Sequence, residues 1–279
     1  MDAALALLQD LLANPAVQSS VLPLAAGLAC AALLYPLRLE GLAAIAGFLA
    51  AVAAIGNFGL EPLTATRKIV VTGAAAAAIG VLSDFAFKPT RFSAPVLGAI
   101  FGAAALWVFA SVLRQKAPLE LALVGAGVVA LTVWLVSATV SLQLDSARAG
   151  ASGLMLGLGT GVSAVLGASA LIGQYGMALG AACGGFLLLL LALGPRVGAG
   201  HALTLTVSVL SALLAAASVL LAQVPAVALA ALALVPVAAR LPLPGTPLWM
   251  QPVLAGVYTG VPAAGACVLA WLSGRGWTW

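Results

Sequence analysis

Residues 151–194 read ASGLMLGLGTGVSAVLGASALIGQYGMALGAACGGFLLLLLALG, forty-four consecutive positions without a charged side chain. A helix needs roughly 20 apolar residues to cross the hydrocarbon of a bilayer, so this stretch holds two spans, 152–172 and 176–194. Each carries glycine at strict four-residue spacing: Gly153, Gly157 and Gly161 in the first, Gly176, Gly180 and Gly184 in the second. Glycines on one helical face let two backbones approach closely, a principal route to helix association in lipid. The packing reading is that these two spans meet each other or their neighbours along the glycine faces. The functional reading is a sliding surface, or backbone laid bare to a substrate. Gly98 and Gly102 repeat the pattern more faintly.

The rest of the chain has the same character. Of its 279 residues 64% are hydrophobic and 6% charged, against about a quarter charged in a soluble domain, which excludes a soluble protein. The expected fold class is all-α: a polytopic integral membrane protein of about ten transmembrane helices, over 17–35, 41–59, 69–86, 94–113, 119–141, 152–172, 176–194, 202–222, 225–239 and 251–272. The third and ninth spans carry the weakest signals, because Asp84 ends one and Pro225 and Pro236 interrupt the other. Ahead of the spans, residues 1–15 read as an amphipathic interfacial helix, with Leu5, Leu8 and Leu12 on one face and Asn14-Pro15 as its stop. The expected halves are 16–145 and 146–279, and the loops leave no room for a separate catalytic domain.

The net charge of +4 comes from eleven basic and seven acidic residues scattered over many loops, which gives no nucleic-acid footprint and fits loops facing anionic lipid. Lys and Arg divide six against five between the two sets of loops, so the overall count does not set orientation; the second half alone favours termini outside the cytoplasm. No Lys or Arg precedes Arg38, the wrong flank for a cleaved signal peptide, and the whole chain reads as mature. The expected location is the plasma (bacterial inner) membrane. Cys30, Cys183 and Cys267 lie far apart in apolar segments, where a thiol acts as a small hydrophobe.

Three local matches recur in the same order in both halves. Ala43-Ala44-x-x-Gly47-Phe48-Leu49 matches Ala181-Ala182-x-x-Gly185-Phe186-Leu187 at an offset of 138, and Leu63-Thr64-Ala65-Thr66 matches Leu203-Thr204-Leu205-Thr206 at 140. Pro118-Leu119 with Val124, Ala126, Gly127 and Val128 matches Pro247-Leu248 with Val253, Ala255, Gly256 and Val257 at 129. Two readings stand: a five-plus-five duplication, or shared composition in a chain dominated by Ala, Leu, Gly and Val. An odd number of spans per repeat would invert one half against the other, as in many secondary transporters. That layout is similar to the drug/metabolite transporter superfamily, with its two five-helix repeats. The resemblance implies a carrier; it is one of layout, with no motif residue to transfer.

Chemistry-bearing side chains are scarce. Asp84 is the acidic group placed below the interface, either ion-paired with Lys88 at i+4 or acting as a proton or cation-coupling site. Glu40, Glu61, Arg67, Lys68, Glu120, Asp145 and Arg148 fall in loops or at span ends, where solvated roles are the default. His201, the single histidine, reads as a helix-start residue or a pH sensor; no GxSxG, Walker A, HExxH or GxGxxG accompanies it. No catalytic residue, metal site or cofactor is expected. The candidate substrate-binding set is Asn57, Thr64 and Thr66 from the first half, Gln174, Thr204 and Thr206 from the second, and Gln251, Tyr258 and Thr259 beside the prolines of the last span. Against it stands the reading that hydroxyls bond back to their own helix. The expected function is a carrier of a small uncharged or amphiphilic solute. The alternative is a non-catalytic membrane subunit or assembly factor that packs through its glycine faces. The corresponding partners are the lipid bilayer, a small-molecule solute, and a second copy or another membrane protein.

Overall fold

The structure, a computed structural model, describes residues 13–56, 61, 63–86, 93–244 and 247–274. Residues 1–12 of the expected interfacial helix lie outside these, as do Asn57, Lys88, Arg91, Arg275, Trp277 and Trp279. Among the described residues ten apolar helices follow one another: α1 (Val17–Leu37), α2 (Glu40–Ala54), α3 (Ala65–Ala86), α4 (Ser93–Leu113), α5 (Pro118–Val140), α6 (Ser146–Leu166), α7 (Ala170–Leu193), α8 (Gly200–Ala222), α9 (Ala226–Ala238) and α10 (Gln251–Gly274).

Among the described residues eight of the ten are long and apolar enough to cross a membrane, so the expected count of about ten full spans is not confirmed. The exceptions are α2, at 15 residues, and α9, at 13. At 1.5 Å per residue they reach roughly 20 Å, short of the ~30 Å hydrocarbon layer. Turn chemistry shortens them. The chain leaves α1 through Arg38 in the left-handed region (φ 59) and starts α2 only at Glu40, and Gly56 (φ +80) closes that helix early. Pro225 holds α9 back, and the helix breaks again at Leu234 before Pro236. The third span, with Asp84 in its last turn, forms in full.

Successive helices reverse direction. The ends of α1, α3, α5, α7 and α9 meet the starts of α2, α6, α8 and α10 at one face: Arg38, Glu40, Asp84 and Arg196 line one cavity there, Asp145 and Gln251 another, and Arg240 donates to Ser141 Oγ (2.7 Å). This is the Asp84 face below. At the centre runs α8, buried at every residue from His201 to Ser218. It packs on α3, α5, α6 and α7.

Glycine sets the closest approaches. A Cβ on Gly157 would stand 2.3 Å from the Gly180 amide nitrogen, and one on Gly176 would stand 2.6 Å from Gly161 Cα, so α6 and α7 touch backbone to backbone. Gly185 of α7 lies against the Leu24 carbonyl of α1, and Gly47 of α2 against Ala182 of α7. Trp134 of α5 donates its indole N–H to the Ala233 carbonyl (2.9 Å), which ties the short α9 to the bundle. The last helix, α10, runs unbroken through Pro262: the ring removes one amide hydrogen bond without interrupting the span.

Candidate functional site

The first four N–H groups of any helix lack intrahelical partners, and buried ones need an acceptor from elsewhere. Four helices here bring their own: Asn14 accepts from Ala16 N (2.9 Å) ahead of α1, Thr64 from Arg67 N (3.4 Å) at the start of α3, Asp145 from Arg148 N (3.1 Å) at the start of α6, and Ser169 from Ile172 N (3.5 Å) at the start of α7. The central helix α8 does not. It is entered through Gly198-Ala199 and begins at Gly200, none of which has a side-chain acceptor, and its N-cap Ala199 forms no side-chain cap.

Carboxylates from two other helices take that place. Asp84, in the last turn of α3, accepts from the backbone N–H groups of His201 (Oδ1, 2.6 Å) and Ala202 (Oδ2, 3.0 Å), and its Oδ1 lies 2.9 Å from His201 Nδ1. Glu40, the first residue of α2, accepts from Gly198 N–H through Oε1 at 2.7 Å. Negative charge at this end complements the positive pole of the α8 dipole. Both carboxylates reach it because small residues let their helices in. A Cβ on Gly41 would sit 2.6 Å from the Ala199 carbonyl, one on Gly80 would sit 2.8 Å from the His201 carbonyl, and one on Gly200 would sit 2.6 Å from Asp84 Oδ2. Gly200 also has φ +59, a conformation only glycine adopts freely.

Next to these carboxylates, at the Asp84 face, is a cavity of about 630 Å³ lined by Tyr35, Arg38, Glu40, Asp84, Arg196 and Gly198 among others, within the range of small-molecule sites. Its polarity is graded. Glu40 is 3% exposed and His201 5%, whereas Arg38 and Arg196 are open to solvent. The cavity therefore has one buried carboxylate, Glu40, beside the α8 N-terminus, with Asp84, Arg38 and Arg196 exposed around it.

Asp84 thus pairs with His201, 117 positions along the chain; its expected partner Lys88 lies outside the described residues. His201 starts a helix, and a carboxylate stands beside it. Asp84 and His201 pair as the acid and the imidazole of a hydrolytic triad do, while the Ser83 hydroxyl, next to Asp84 in the chain, donates to the Ile79 carbonyl of its own helix (2.8 Å). Among the described residues no three His, Cys, Asp or Glu side chains cluster to hold a metal ion.

The candidate substrate-binding residues are spread through the bundle. Thr64 and Thr66 hydroxyls lie 3.0 Å from each other at the start of α3, on the face opposite Asp84. Thr204 donates to the Gly200 carbonyl (2.8 Å), Thr206 to the Ala202 carbonyl (2.6 Å) and Thr259 to the Ala255 carbonyl (2.7 Å), each one turn back on its own helix. Gln251 lines a second cavity at the Asp84 face, of about 670 Å³, with Asp145 and Trp249. Gln174 and Tyr258 sit half-buried on α7 and α10. Gly153 lies against Cys183, Gly157 against Gly180, and Gly161 against Met177, whereas Gly184 has only leucine methyls near 4 Å.

Glu40, Arg38, Arg196 and Tyr35 were not singled out as site residues in the sequence. One signal pointed to Glu40: the loop Gly194-Pro195-Arg196-Val197-Gly198-Ala199-Gly200 leads into a helix without Asp or Glu and with no capping residue of its own, and such a start implies an acceptor supplied from another segment. No protein family, curated protein or solved structure matches the chain.

Proposed function

We propose that the protein is a membrane carrier for a small, net-uncharged or amphiphilic solute, taken up in the cavity at the Asp84 face. The observation behind this reading is the cavity itself. It is a polar recess of solute size, built from α1, α2, α3 and the α7–α8 loop, and its floor is the capped end of the central helix. Carboxylates and guanidinium groups around one recess offer a neutral polar or zwitterionic molecule partners of both signs. Two of the sequence matches also lie on packed helix pairs, α2 on α7 and α3 on α8, as an inverted repeat would arrange them. A working motion is then a rocking of one half against the other. The alternative, a non-catalytic subunit joined to partners through its glycine faces, finds less support, because Gly153, Gly157, Gly161, Gly176 and Gly180 are occupied within the chain.

Gly198 allows a clean test. It lines the cavity, its φ is not positive, and the nearest atom to a Cβ placed there is Glu40 Oε1 at 3.5 Å. Gly198→Trp therefore plugs the recess with little strain on the backbone. Purified protein screened against amino acids, polyols, amines and short amphiphiles is expected to gain thermal stability with at least one class, as any ligand that binds only the folded state requires. Gly198→Trp should unfold at the same temperature as wild type and lose that response. A response unchanged by the plug would place the solute elsewhere.

A further inference from the structure

We infer that a zwitterionic phospholipid binds along α10, with its head in the recess beside Asp145 and one acyl chain in the apolar furrow beneath. Helix α10 packs on α6, and α6 packs on α7 through its glycines. A furrow of about 410 Å³ is left over α6, with Leu154 and Met155 as its floor, Leu187 and Leu191 of α7 as one wall and residues 252–260 of α10 as the other. It opens outward, since Leu191, Val253 and Val257 on its edges are exposed. From Gln251 to Gly260 the α10 wall descends about 13 Å from the Asp84 face, at 1.5 Å per residue. Leu191 and Pro252 also line the recess of about 670 Å³ above it. The two spaces are therefore one continuous site, polar at the membrane face and apolar below, which is the layout of an amphiphile. Glycine keeps the furrow open. A Cβ on Gly256 would meet only Met155 Cε at 4.0 Å, and one on Gly260 only Met155 atoms, the nearest being Sδ at 3.7 Å. No close helix contact calls for glycine there, unlike at Gly157, although glycine weakens a helix interior. In hydrocarbon an unfilled space forfeits dispersion contacts, and an acyl chain lying over the adaptable Met155 side chain restores them.

The recess selects the head. Asp145 supplies a half-exposed carboxylate, which is paired with the Arg148 guanidinium (2.9 Å) and keeps lone pairs to spare. Gln251 and Trp249 add amide and indole N–H donors that are unpaired among the described residues. Trp249 is exposed at the membrane face, where tryptophan meets lipid headgroups. An ammonium group fits the carboxylate, and a phosphate fits the donors. Among the described residues no Lys or Arg lines the recess to balance a net anion. A second apolar groove, of about 530 Å³ between α5, α8 and α9, has no such head site: its lining is apolar apart from Trp134, whose N–H is taken by the Ala233 carbonyl. The lipid site does not rest on the carrier reading, since Gly198 and Asp84 line neither the recess nor the furrow.

Native mass spectrometry reads the site on protein reconstituted into vesicles of equal phosphatidylethanolamine and phosphatidylglycerol, then released and washed in mild detergent. Wild type is expected to keep one phosphatidylethanolamine per chain. Gly256→Leu, whose side chain fills the furrow, should keep about a tenth as much or less. Gly260→Leu should behave alike, and thermal unfolding of both shows that the fold survives in at least one. Asp145→Ser, which still offers a hydroxyl cap to α6, should lose the preference for the ethanolamine head. Gly127→Leu, in the second groove where a Cβ meets nothing within 4 Å, should retain lipid like wild type. Wild type without bound lipid, a wild-type preference for phosphatidylglycerol, or equal retention in wild type, Gly256→Leu and Gly260→Leu would overturn the assignment. So would a wild-type dimer that Gly256→Leu dissociates, because a second copy would then occupy the furrow. Retained lipid together with a failed solute screen would reject the carrier and keep the lipid site.

Discussion

Gly157→Leu is expected to lower stability by more than about 3 kcal/mol, beyond the ordinary range of overpacking substitutions. The three atoms that its Cβ would meet are Gly180 N at 2.3 Å, Gly180 Cα at 2.6 Å and the Gly176 carbonyl at 2.9 Å. All are backbone, so no side-chain rotation makes room, and α6 must move off α7 along their whole contact. Gly157→Ala already adds that Cβ and should cost about 1–3 kcal/mol, even though Ala favours a helix by about 1 kcal/mol over Gly. Gly184→Ala is the control, since it belongs to the same four-residue series and a Cβ there meets nothing nearer than Leu154 Cδ1 at 3.8 Å. It should be neutral or stabilising by up to about 1 kcal/mol. Denaturant titration of the three variants in mild detergent checks the order. Equal losses at Gly157 and Gly184 would show that the spacing of glycines, rather than this contact, sets the cost.

Asp84→Ala carries the second large effect, about 3 kcal/mol. It removes the acceptor of two backbone N–H groups and of the His201 ring together. A lost cap costs about 1–2 kcal/mol, and each donor left buried and unpaired adds roughly 1–3 kcal/mol before water reaches it. Asp84→Asn keeps one acceptor oxygen and should lose about half as much. His201→Ala breaks one of the three bonds and leaves both backbone bonds in place, so about 1 kcal/mol is expected. Hydrogen exchange localises the change: the amides of His201 and Ala202 should lose protection in Asp84→Ala and keep it in His201→Ala. Unaltered protection in Asp84→Ala would mean that the α8 N-terminus is held by something else.

Whatever one dimension determines was readable from the sequence. The charge-free run at 151–194 identified a membrane protein, and the glycine series singled out residues that, in α6 and α7, make the closest backbone contacts. Asp84 stood out because charge inside a span is rare. Its partner could not be read, since i+4 spacing offered Lys88 and nothing in an Ala-, Leu- and Gly-rich chain marks which distant helix end will arrive beside it. Glu40 was missed for a related reason. Near Arg38 it has the look of a loop residue, and its burial goes with the close approach of Gly41 to the Ala199 carbonyl, which the sequence does not mark. The prolines of the ninth span marked it as weak, whereas the short second span escaped because hydropathy counts apolar residues and Arg38 and Gly56 bound that helix through backbone conformation. The hydroxyls of Thr204, Thr206 and Thr259 show the same limit: sequence places them at membrane depth, but not whether each turns inward to its own carbonyl.

Uptake of the stabilising solute into proteoliposomes, wild type against Gly198→Trp, tests the central claim most directly. The account predicts that wild type accumulates the solute, that the plugged variant transports at a small fraction of that rate, and that both are equally stable. Uptake by the plugged variant at the wild-type rate would contradict it, and so would a wild-type protein that binds the solute and never moves it across.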